Sequence, residues 1–97
     1  MLKGLLPVGT VVLLKNSEKR VMIIGVLQKQ LKEGEEVIWD YAGCLYPEGY
    51  LGPDKTYLFN ESQIEKIFAL GYQDDEQFEF KEKIDEIRNE LLANNQG

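Results

Sequence analysis

For its first seventy residues the chain never sustains a helical period. Its apolar residues come in short β-branched or aromatic runs, each cut by glycine, proline or a polar turn. Only after Asp74 does a 3.6-residue stripe begin. That order, several short strand-like runs and then one amphipathic helix, restricts the chain to an α+β fold built on a small antiparallel sheet.

The runs can be placed individually. Thr10 to Lys15 (TVVLLK) reads as a strand, Asn16 to Lys19 as a turn, and Arg20 to Gln28 (RVMIIGVLQ) as a second strand, the two making a hairpin. Gly25 inside the second run marks a bulge or tight bend. Lys29 to Glu36 is charged, contains Gly34 and reads as a loop. Val37 to Tyr46 (VIWDYAGCLY) alternates with period two. Val37, Trp39, Tyr41, Gly43 and Leu45 fall on one face; Ile38, Asp40, Ala42, Cys44 and Tyr46 fall on the other. Trp39 and Tyr41 are expected in the core, against the final helix. Gly43 is a second candidate bend.

Pro47 to Lys55 is a loop rich in proline and glycine, followed by a short strand at Thr56 to Phe59. Asn60 and Gln63 have the spacing of a capping box, which predicts a helical turn at 61–64 and then a strand from about Glu65 to Leu70. A two-turn helix is the alternative there. Asp74 is the natural cap of the last element. Phe80, Ile84, Ile87 and Leu91 follow at i, i+4, i+7 and i+11, which predicts a helix over about 75–93 that docks through this stripe. The expectation is one domain over residues 1–97, β-rich from 8 to 72. Its sheet is strongly bent, or else a partly open SH3-like barrel of about five strands. A core this thin makes for marginal stability.

The composition excludes much chemistry. The 97 residues contain no histidine and one cysteine, Cys44, which removes serine–histidine triads, cysteine–histidine dyads, most zinc sites and any internal disulfide. Asp74, Asp75 and Glu76 lack the alternation of a calcium loop. Gly49-x-x-Gly52 lacks the following Lys-Ser/Thr of a phosphate loop. No cofactor and no metal are expected. Asp40 is the one carboxylate set in a strand among aromatics. It is a general acid or base if it faces an open apolar cavity, and a structural residue if paired. A chain this short leaves little room for a substrate cleft of roughly 300–1,000 Å³. The expectation is therefore a protein that is not an enzyme.

Charge points toward protein partners. The net charge is −6, which disfavours general nucleic-acid binding. It is unevenly spread: residues 1–34 carry six basic and two acidic residues, and residues 35–97 five basic and fifteen acidic. Pro7 and Gly9 interrupt the N-terminal apolar run too early for a signal peptide, and no stretch reaches the roughly 20 apolar residues of a membrane span. A cytoplasmic location without membrane insertion is expected. Tyr and Trp are favoured at binding hot spots. The loop after the third strand, with Tyr46, Pro47, Tyr50 and Leu51, is the expected partner contact.

The combination of Leu6-Pro-Val-Gly-Thr-Val-Val-Leu-Leu-Lys15, Met22-Ile-Ile-Gly25, Asp40-Tyr-Ala-Gly-Cys-Leu-Tyr-Pro-Glu-Gly49, Tyr57-Leu-Phe-Asn60 and Gly71-Tyr72 resembles a family of small Gram-positive bacterial proteins with a domain of unknown function, over roughly residues 5–85. Members are often encoded beside type VII secretion genes and LXG-type toxins. The resemblance implies a cytoplasmic accessory protein, an adaptor or chaperone-like factor that engages a secreted toxin before export. An immunity protein that blocks a toxin's catalytic domain is the alternative. It implies no catalytic residues.

Overall fold

The computed structural model describes residues 4–96. Five strands, β1 (Val11–Leu14), β2 (Arg20–Lys32), β3 (Glu35–Leu45), β4 (Thr56–Phe59) and β5 (Ile64–Ala69), form one antiparallel sheet, followed by α1 (Asp75–Gln96). The sheet order is β4-β3-β2-β1-β5. The first four strands are a meander, and the fifth returns beside the first. Among the described residues no ladder joins β4 to β5, so the sheet stays open instead of closing into an SH3-like barrel. The bent sheet is the alternative realised.

The predicted loop at Lys29–Glu36 is a correction. Here β2 and β3 continue as a ribbon, paired Gln30 to Val37, Leu31 to Glu36 and Lys32 to Glu35. The turn is only Glu33-Gly34, both with positive φ (52° and 82°), as a two-residue primed turn requires. Sequence periodicity missed this ribbon because it projects beyond the core. Lys29 and 31–36 are all exposed, so neither face needs to be apolar. Opposite charges on Lys32 and Glu35 suit the pairing.

The expected bulge near Gly25 is present: the β2–β3 register shifts between Ile23 and Gly25. Gly43 serves packing instead of bending. A Cβ there would collide with the Val21 side chain and stand 3.0 Å from Cε1 of Phe59. The inner face of the sheet carries the core: Val12, Val21, Ile23, Tyr41 and Phe59, with Leu5 and Leu6 laid over them. The Tyr41 and Phe59 rings stand 5.4 Å apart and tilted. Full burial of side chains of this size contributes about 1.5–3 kcal/mol each. Trp39 is only half-buried, its Nε1 donating to Gln30 Oε1 at 3.0 Å. It lies where the ribbon leaves the core. Cys44 is buried, as a core-filling thiol should be.

The connection from β4 to β5 is a 3-10 turn at Glu61–Gln63, in which the Asn60 N–H donates to Gln63 Oε1 at 2.8 Å. The helical turn and following strand read from the sequence are both present. Asp74 caps α1 by accepting from the Gln77 N–H at 2.9 Å. The docking face of α1 is a second correction. Gln77, Lys81, Ile84, Asp85, Arg88 and Leu91 are half-buried, whereas Phe80 and Ile87 are 50% and 46% exposed. Ile84 and Leu91 of the predicted stripe lie on the docked face, where Arg88, paired with Asp40 at 3.2 Å, takes a place the apolar stripe did not give it. Through residue 93 no side chain of α1 is fully buried.

Candidate functional site

The Tyr46–Leu51 loop stands at one end of the sheet. Its backbone is fixed by an N–H of Tyr46 donating to the Arg20 carbonyl at 3.0 Å and an N–H of Gly49 donating to the Leu45 carbonyl at 2.8 Å. Lys19 Nζ pairs with Glu48 at 2.7 Å and ties the loop to the β1–β2 turn. The lysine holds the Glu48 carboxyl below its ordinary range through a hydrogen bond. On this frame Tyr46, Tyr50 and Leu51 are 38%, 61% and 55% exposed, and Pro47 is exposed. All four expected contact residues therefore lie at the surface. The sequence supplied the signal: large apolar side chains between prolines and glycines have no strand face to enter.

A second feature was only partly legible. Asp40, on β3, lies where three elements meet. Its Oδ1 accepts from Nε of Arg88 on α1 at 3.2 Å, its Oδ2 accepts from the Glu61 N–H at 2.8 Å, and its own N–H donates to Asn60 Oδ1 at 3.0 Å. The alternation placed Asp40 outside the core face. The partner Arg88, 48 residues away, left no trace in local sequence. Beside it the Tyr41 hydroxyl accepts from the Leu6 N–H at 2.9 Å. Burial pushes the Tyr41 phenol well above its ordinary value, chiefly by desolvation. Glu61 is also raised. Desolvation is the main cause and repulsion from Asp40 the next, opposed by Arg88 and by a hydrogen bond with Tyr41.

Asp40, Glu61 and Arg88 border an open groove of about 830 Å³ between α1 and β5, with Leu6, Ile64 and Ile67 as its apolar part. Chain length argued against a space of that size. β5, the 3-10 turn and Arg88 of α1 bound it. A smaller apolar crevice of about 170 Å³ lies between Leu5–Val8 and the first turns of α1, with Tyr72 and Phe80 at its rim. Asp40 faces the large groove, but both its oxygens are engaged, which is the paired state of a structural carboxylate. Among the described residues no group of three or more His, Cys, Asp or Glu is arranged to hold a metal ion. No helix there is long and apolar enough to cross a membrane.

A bent, open five-strand antiparallel sheet with one C-terminal helix places the protein among small α+β domains. The chain belongs to the family defined by the domain of unknown function DUF4176, which matches residues 5–80. The match takes in the whole sheet and ends in the second turn of α1. Neither a curated protein nor a solved structure matches the chain.

Proposed function

We propose that the protein is a non-enzymatic accessory factor of the cytoplasm. In this reading it is an adaptor or chaperone-like protein that binds a type VII-secreted LXG-type toxin or related cargo before export. The supporting observation is the Tyr46–Leu51 loop. It holds large apolar side chains in solvent on a backbone already fixed by hydrogen bonds, so little ordering entropy remains to oppose binding. The family resemblance, which implies genes placed beside type VII secretion loci, is in keeping with the same reading. The engaged oxygens of Asp40 and the burial of Cys44 support a role without catalysis.

The test is co-expression with a full-length LXG-type toxin from the same gene neighbourhood, reading complex mass by light scattering after size exclusion. A complex that survives deletion of the toxin's catalytic domain is the expected result. A complex lost with that domain establishes immunity instead. One feature favours that second reading: the outward face of α1 carries Glu79, Glu82, Glu86 and Glu90, a suitable counterpart for the basic site of a nucleic-acid-cleaving toxin. No complex with either form overturns both.

A further inference from the structure

The groove beside β5 presents a different face, since no residue of the Tyr46–Leu51 loop lines it. Four consecutive residues of β5, Ile64 to Ile67, border the groove. Side chains of a strand alternate between its faces, so consecutive residues can share one cavity only where the strand's edge is turned toward it. Among the described residues β5 ends the sheet order and pairs with β1 alone. The edge facing the groove therefore offers unpaired backbone N–H and C=O groups. Charge defines what fits there. The Glu61 carboxylate shares the groove with Asp40, a like charge, and with Arg88, the opposing one. Arg88 is already engaged by Asp40 at 3.2 Å. With Glu65 and Lys66 counted, the lining sets three carboxylates against two cations, so the groove is short of one cation. Its apolar part, Leu6, Ile64 and Ile67, suits aliphatic side chains.

We propose that this seam is a docking site for a short extended segment of a partner protein, which adds as a strand to the free edge of β5 and sets a lysine or arginine against Glu61. Main-chain pairing supplies the affinity and the cation the selectivity. Register shifts between β1 and β5 on both sides of Val12–Leu13 bend the edge, and Glu65 and Lys66 charge it. Both features discourage indiscriminate sheet stacking. An incoming strand must therefore be short and of matching charge.

The experiment titrates the isotopically labelled full chain with two synthetic pentapeptides, acetyl-Val-Lys-Val-Lys-Val-amide and its glutamate counterpart, and follows backbone amide resonances. The lysine peptide is expected to shift the amides of Glu61 and Glu65–Ile67 saturably, and to bind about five-fold more tightly than the glutamate peptide, a difference near 1 kcal/mol. Glu61→Gln is expected to remove most of that preference while keeping a dispersed spectrum. Lys66→Glu, at an exposed position, is expected to increase it, which keeps the test intact if Glu61→Gln fails to fold. Equal binding of the two peptides, shifts mapping elsewhere, or no saturable shift overturns the proposal. So does a self-associated chain whose interface maps to β5, which assigns the seam to a second copy.

Discussion

Arg88 reaches from α1 to β3 and donates its Nε–H to Oδ1 of Asp40 at 3.2 Å. Among the described residues it is the one ion pair joining the helix to the sheet. α1 buries no side chain completely through residue 93, so the pair adds to a thin apolar contact made by Ile84. Arg88→Ala should destabilise the fold by about 1–2 kcal/mol, between the values of exposed and buried pairs. Asp40→Ala should cost more, since the Glu61 N–H also loses its acceptor. Urea unfolding measures both. A coupling energy near zero in the double-mutant cycle would show that the two residues act independently.

Tyr41→Phe removes the acceptor of the buried Leu6 N–H and should cost about 1–3 kcal/mol, the penalty of an orphaned buried donor. The Leu6 amide should exchange with solvent faster in the variant. Unchanged exchange would mean that the hydroxyl is not what protects it.

Tyr41 also sets an alkaline limit. Its phenol is raised in the folded state by burial, so the native chain holds the proton where the unfolded chain has released it. The stabilisation is complete below the ordinary tyrosine value of about 10 and is lost as pH climbs beyond it. Absorbance titration should show one tyrosine ionising only with unfolding, and Tyr41→Phe should lack that step.

Glu61 behaves in the opposite pH range. Its carboxyl is raised by desolvation and by Asp40. The native state therefore binds the proton more readily, and this group's contribution falls as pH rises through the folded value. Glu61→Gln should leave neutral-pH stability unchanged or raise it by less than about 1 kcal/mol, because the group is largely solvated. The difference should vanish by about pH 4. Loss of stability at pH 7 would overturn the sign.

Gly71→Ala should be the most damaging glycine substitution. The added Cβ would strike the Val8 carbonyl and lie 3.1 Å from the Thr10 nitrogen, where backbone faces backbone and no side chain can yield. A loss above about 2 kcal/mol is expected in thermal unfolding. The Gly71 N–H bond to Thr10 Oγ1 at 3.0 Å is lost with it.

Tyr50→Ala should leave the unfolding midpoint within about 0.5 kcal/mol of the parent, as surface changes do, while weakening capture of a partner. Unchanged affinity in a titration removes Tyr50 from the contact.

Much of this architecture was legible because its signals are local. The TVVLLK and RVMIIGVLQ runs, the Asn60–Gln63 box and the Asp74 cap each act within a few residues. Three features were not legible, for a shared reason. The ribbon at 29–36 has no buried face to pattern. The docked face of α1 includes Arg88, whose partner is an aspartate 48 positions earlier. Leu5 and Leu6 precede every strand, in a short apolar run that Pro7 and Gly9 interrupt and that carries no strand or helix period, yet each is only 3% exposed.

That lead-in has a consequence for biosynthesis. Leu5 and Leu6 are made before every element they pack against: Tyr41, Phe59 and finally Ile84. A chain emerging from the ribosome cannot complete its core until α1 has cleared the exit tunnel. The last step of folding is then closure over distant contacts, which is slow. Until β3 and β4 have emerged, the nascent chain displays two adjacent leucines to whatever is nearby.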